Sequence, residues 1–241
     1  HPFGNAHLRG VSPLPGSRKE VDLIRQRFQG TFLQGEAARE SFLKAAGSRY
    51  KIIHITTHTL IDERFPSLSK LVFADERGDA ADGFLNVYEL YNLPLYADLV
   101  VLSACNTGTG AIVKGEGIAS LARAFAYAGS PNLVMSLWPV QDYVAPQLMS
   151  RFYDNLKAGM EKGEALHHAK LYCLDEGNDL FTHPYYWAAF VYAGDRAPVN
   201  LREPGMPGQL WRLLLILLPT TAILVFFLYR RQRKRIGARR A

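Results

Sequence analysis

The stretch Asp98-Leu-Val-Val-Leu-Ser-Ala-Cys105 decides the fold. Its core, Leu99–Ser103, is apolar without alternation, the pattern of a strand buried on both faces of a parallel sheet. Directly behind Cys105 come Asn106-Thr-Gly-Thr-Gly110, a loop signal. A second run, Tyr50-Lys-Ile-Ile-His-Ile-Thr-Thr-His58, stands 47 residues earlier and ends in a histidine. If the two runs are neighbouring parallel strands, a thiol and an imidazole emerge together at their carboxyl ends. Open α/β sheets bind their ligands at that edge, and Cys with His is the minimal equipment of a cysteine nucleophile.

The rest of the chain alternates in the same sense. Helical spacing predicts helices over Lys19–Phe28, Glu36–Gly47, Glu116–Ala128, Tyr143–Leu156 and Lys162–Leu174. Strands are predicted at Lys51–Thr57, Leu71–Phe73, Leu99–Ser103, Leu133–Leu137 and Tyr186–Tyr192. Gly129 stands where a helix C-cap favours glycine. His58 is expected to end its strand and open a loop over Thr59–Phe65. The fold class is α/β, a mostly parallel sheet sandwiched by helices.

Composition limits the function classes. The 241 residues are 48% hydrophobic and 21% charged, with a net charge of +6. Seven of the cations fall in the last twelve residues, among no acids. Without them 21 basic residues face 22 acidic ones, so the folded part is neutral and a nucleic-acid partner loses its support. Two cysteines give neither a disulfide framework nor a metal knuckle. Cys173, in a helical stretch, reads as a small core hydrophobe.

Residues 213–229 carry no charge and would span roughly 26 Å as a helix. Trp211 and Tyr229 sit where interfacial aromatics belong, and Arg212 can snorkel. A single-pass transmembrane helix is therefore expected over 210–229, with a basic tail over 230–241 and a Pro/Gly linker over 197–209. Counting flanking cations puts the tail in the cytoplasm, although an anchor inserted after synthesis need not obey that bias, so the side of the folded domain stays open. The chain starts at His1 with no Met and no secretory apolar region, which points to a truncated or processed N-terminal part.

Several polar features fail their tests. Asn106–Gly117 is rich in glycine but lacks the Lys-Ser/Thr of a phosphate loop and the third glycine of a dinucleotide fingerprint. His54 and His58 have no acidic or thiolate companion, so no metal is expected, and His54 reads as a core histidine. Ser103 has no G-x-S-x-G around it. No cofactor is expected.

A set of blocks resembles the CHAT domain, a branch of the caspase-like cysteine peptidases related to separase. They are Leu14-Pro-Gly-Ser-Arg-Lys-Glu-Val21, Ile53-His-Ile-Thr-Thr-His58, Asp82-Gly-Phe-Leu85, Ala97–Gly108, Gly115–Phe125, Ser136-Leu-Trp-Pro-Val140 and Trp187–Asp195. The resemblance runs from about residue 12 to 196. It implies a caspase-like sheet over domain 1–196, a cysteine-type endopeptidase with a His58–Cys105 dyad, and an oxyanion held by the N–H groups of Cys105 and Thr59. The family usually has glycine directly after the histidine, where this chain has Thr59. The loop holding Asp142 resembles the separase segment that carries an acidic residue for a basic P1 side chain; Asp142 reads equally well as the N-cap of the helix that follows. The implied partners are a protein substrate, a membrane and an upstream helical-repeat region. The alternative, favoured by Thr59, is a catalytically silent caspase-like scaffold at a membrane.

Overall fold

The computed structural model describes residues 14–75, 82–103, 105–106, 116–138, 140, 143–175 and 183–201. The elements in chain order are α1 (Pro15–Arg25), α2 (Glu40–Ala46), β1 (Ile52–Ile55), β2 (His58–Leu60), β3 (Lys70–Val72), β4 (Phe84–Asn86), α3 (Val87–Leu90), β5 (Leu99–Leu102), β6 (Cys105–Asn106), α4 (Glu116–Tyr127), β7 (Leu133–Ser136), α5 (Ala145–Lys157), α6 (Lys162–Asp175), α7 (Pro184–Trp187) and β8 (Phe190–Ala193).

The main sheet has the order β1-β5-β7-β8. β1, β5 and β7 run parallel, and β8 closes the edge antiparallel. Every residue of β5 is buried, as its unbroken apolar run requires. Val100 and Leu102 join a core cluster with Leu121 and Phe125 of α4 and with Val87 and Leu90 of α3. His54 of β1 instead meets Tyr153 of α5, and α5 packs on α1 and α6. Helices thus cover both faces. Full burial of an aromatic such as Phe125 contributes about 1.5–3 kcal/mol, so the sandwich is held mainly by these side chains.

Three local expectations change. The stretch Glu36–Gly47 is not one helix: Arg39 forms an extended bridge to Ala74, and only 40–46 is α-helical. The bond from Ala74 N–H to Ala38 C=O, 2.9 Å, pulls the chain out of the helix at that point. Tyr186–Tyr192 is not a strand throughout. Pro184 fits the first turn of α7, where its missing N–H costs nothing, and His183 Nδ1 accepts the Tyr185 N–H at 3.1 Å. The strand begins only at Phe190. α1 starts at Pro15, four residues ahead of its apolar spacing.

Gly129 ends α4 with φ +86°, and a Cβ there would lie 2.5 Å from the Tyr96 ring. Glycine is required twice over, by conformation and by contact. Close by, at the Asn132 end of β7, Lys162 Nζ donates to Asp195 Oδ1 (2.8 Å) and to the Ala197 carbonyl. Lys51 Nζ donates to the Asn200 carbonyl, so the first residues read as linker are tied to the domain. The expected transmembrane helix over 210–229 and the basic tail lie outside the described residues. Among the described residues no helix is long and apolar enough to cross a membrane.

Candidate active site at the sheet rim

The two strands that carry the expected dyad do not stop where the main sheet stops. β1 breaks at Thr56–Thr57 and resumes as β2; β5 breaks after Leu102 and resumes as β6. β2 and β6 belong to a second sheet of order β4-β3-β2-β6. The pairing register survives the break. Ile52 pairs with Leu99 and Ile55 with Leu102, and beyond the break His58 pairs with Cys105 and Thr59 with Asn106. The offset is 47 residues on both sides. His58 and Cys105 are therefore backbone partners on adjacent strands, which lie about 4.8 Å apart.

His58 is the first residue of β2 rather than the last of β1, and Thr59 lies inside that strand, not in a loop. The reason is β3: Thr59 pairs antiparallel with Leu71, which captures the chain straight after the break. The Thr57 hydroxyl donates to the Val72 carbonyl and fixes the break from the same side. The His58 side chain has no exposed surface, and Thr59 is also buried. Asp142 and most of the glycine-rich loop lie outside the described residues.

Directly beneath the register pair runs a buried polar chain that links four elements. Ser103, two residues before Cys105, donates through Oγ to Glu20 Oε2 at 3.0 Å. Glu20 Oε1 lies 3.1 Å from His54 Nε2, off hydrogen-bond alignment. His54 Nδ1 meets the Tyr153 hydroxyl at 2.8 Å. Burial first, then the nearby Glu20 carboxylate, pushes the Tyr153 phenol well above its ordinary range. The phenol therefore keeps its proton and can donate it to His54 Nδ1. His54 is thus the core histidine the sequence suggests, hydrogen-bonded through Nδ1 and with Glu20 within ion-pair distance of Nε2.

Glu20 is the residue that the sequence reading missed. It sits four residues from both Gly16 and Ile24, and all three are buried on one stripe of α1. An acid on an otherwise buried i, i+4, i+8 stripe is the signal that could have found it. Cys173 is buried as expected, and burial pushes its thiol up to about 11. No group of His, Cys, Asp and Glu able to hold a metal occurs among the described residues.

What this rim can do chemically follows from the pair. An imidazole beside a thiol can take its proton and return it to a leaving group, the basis of acyl transfer through a thioester. Comparisons with known proteins agree with the architecture. The chain is 25% identical over 219 residues to tetratricopeptide repeat protein 28 of human, and equally to that of mouse. The match covers 78% of this chain but only 9% of those relatives' length. The CHAT domain profile matches residues 3–195. With four-fifths of its length matched and the caspase-like α/β sheet in place, this chain belongs to the CHAT domain family.

Proposed function

We propose that the domain is a cysteine endopeptidase whose nucleophile is Cys105 and whose general base is His58. The observation that carries this reading is the 47-residue register, which holds across the strand break and makes the two residues backbone partners. A free thiol near pKa 8.5 is only a few per cent thiolate at pH 7. His58 takes the Cys105 proton as sulfur attacks the substrate carbonyl. The tetrahedral oxyanion is held by the N–H groups of Cys105 and Thr59, each donor worth about 10²–10³ in rate in other enzymes. His58 then protonates the departing amine, a thioester remains, and water hydrolyses it to the acid while the thiol is restored. Asp142 accepts a basic P1 side chain. The apolar segment 210–229 anchors the domain to a membrane, and the name of the relatives supports an upstream or partnering tetratricopeptide-repeat region.

One observation favours a second reading, a silent scaffold: the His58 ring has no exposed surface. Under the first reading the cover over His58 moves when a partner or substrate engages. Alkylation by iodoacetamide with peptide mass mapping separates the two. The peptidase reading expects Cys105 to react faster than a free cysteine at pH 7, and His58→Ala to slow it at least roughly tenfold. A Cys105 that reacts no faster than Cys173, with or without His58, establishes the scaffold.

A further inference from the structure

We infer that Glu20 is a positioning residue for the dyad: it sets where Cys105 stands against His58 by holding both strands just ahead of their breaks. The inference deepens the peptidase reading and rests on it. The two members of the dyad are fixed unequally. On the histidine side the chain is held after its break by β3, through the Thr59–Leu71 pairing, and by the Thr57 hydroxyl on the Val72 carbonyl. On the cysteine side β6 has two residues and ends its sheet among the described residues, with β2 beside it. So short a pairing is marginal by itself, and the position of Cys105 then depends on what holds the chain ahead of it.

That hold is Ser103. It stands two residues ahead of Cys105, and two residues reach at most about 7 Å. Ser103 is clamped twice. Its N–H donates to the Ile55 carbonyl at 3.0 Å, the rung at which β1 and β5 part. Its Oγ donates to Glu20 Oε2, also at 3.0 Å. The first bond fixes the height of the residue in the sheet. The second fixes its rotation about the strand axis, and with it the direction in which the chain leaves toward β6.

The same carboxyl group reaches the histidine strand. Glu20 Oε1 lies 3.1 Å from His54 Nε2, four residues ahead of His58, and Tyr153 holds the other nitrogen of His54 at 2.8 Å. One side chain of α1, 2% exposed, is therefore a common reference for both strands immediately before they leave the main sheet. In a buried setting such bonds are strong and their loss is not made good by bulk water. Proton transfer between thiol and imidazole requires hydrogen-bond reach, and a displacement of about 1 Å can cost about a hundredfold in rate. Losing the Glu20–Ser103 bond is enough to produce one.

The test is the rate of Cys105 alkylation by iodoacetamide in the full chain over about pH 6–9. Peptide mapping reads Cys173 in the same digest, and that buried thiol gauges unfolding. Ser103→Ala and Glu20→Ala should each slow Cys105 at pH 7 by about tenfold or more. Both should move its pH profile up toward the ordinary thiol value near 8.5. Adding His58→Ala to either should slow it no further, because the imidazole is already out of reach. Glu20→Gln keeps an acceptor for Ser103 and should stay within about threefold of the wild-type chain. Lys162→Met, which loosens the domain beside Asn132 at the amino end of β7, should leave the rate unchanged. If Glu20→Ala does not fold, as a reacting Cys173 would show, Ser103→Ala decides, since it removes a single hydroxyl. Unaltered rates in Ser103→Ala and Glu20→Ala, equal slowing by Lys162→Met, or no recovery in Glu20→Gln overturns the assignment. A wild-type Cys105 that His58→Ala leaves unchanged sinks the peptidase reading and this one with it. A His58-dependent Cys105 indifferent to Ser103→Ala sinks the positioning role alone.

Discussion

Replacing Tyr153 by Phe tests the buried polar chain with little change in packing. The ring contacts that Tyr153 makes with Phe28 (5.3 Å between centroids, edge-on) and Phe152 (5.4 Å) survive in phenylalanine. What disappears is one hydroxyl, and with it the 2.8 Å bond to His54 Nδ1. Tyr153 is 1% exposed, so no bulk water replaces the bond. His54 is then left with a buried nitrogen lacking its donor, which costs about 1–3 kcal/mol. For a domain of this size each kcal/mol lowers Tm by about 2–4 °C, giving a drop of roughly 2–12 °C. Urea unfolding of the wild-type chain, Tyr153→Phe, His54→Leu and the double variant closes a thermodynamic cycle. The two residues should couple by about 0.5–3 kcal/mol, as members of one network do. A loss below about 0.5 kcal/mol for Tyr153→Phe, or additive single effects, would show that the chain from α5 to α1 is not an energetic unit.

Two other perturbations follow from the geometry. Lys162→Met removes a buried ammonium that ties Asp195 and Ala197 to α6, and should cost about 1–3 kcal/mol in chemical denaturation. The Lys162 hydrogen bond first, then the Ala197 N–H, hold the Asp195 carboxyl below its ordinary value of 3.8. A depressed carboxyl stabilises the fold above its unfolded value and loses that contribution as pH falls through the folded one. The wild-type chain should therefore lose stability below about pH 4 more steeply than Lys162→Met; parallel curves would refute the pairing. Gly129→Ala and Gly159→Ala both force alanine into a left-handed conformation, φ +86° and +88°, yet only the first meets a neighbour, the Tyr96 ring at 2.5 Å. Both should lose roughly 1–2 kcal/mol to backbone strain. Gly129→Ala should lose more in thermal melts, and Tyr96→Ala should restore the excess; equal losses would remove the contact from the account.

The limits of the sequence reading have a common physical origin. β5 was legible because four apolar residues in a row leave few alternatives, β1 because its isoleucines and threonines are β-branched, and α4, α5 and α6 because their spacing persists for three turns. β2 and β6 have three and two residues, too few for any period to show, and α7 has a single turn that proline sets. Yet the expected dyad rests on those short strands. His58 and Cys105 fall opposite each other because the chain spends the same number of residues in each strand break, so the 47-residue offset of the long strands carries over to the short ones. The support beneath them was invisible for the opposite reason. Glu20 lies in Arg18-Lys19-Glu20, where a charge reads as solvated surface, and only the packing of α1 against α5 and the rim of the sheet turns its side chain inward. Burying an acid there is unfavourable unless Ser103 and His54 meet it. The same three residues tie α1 to β1 and to the residue that follows β5, so the buried polar chain and the His58–Cys105 register pair share one rim.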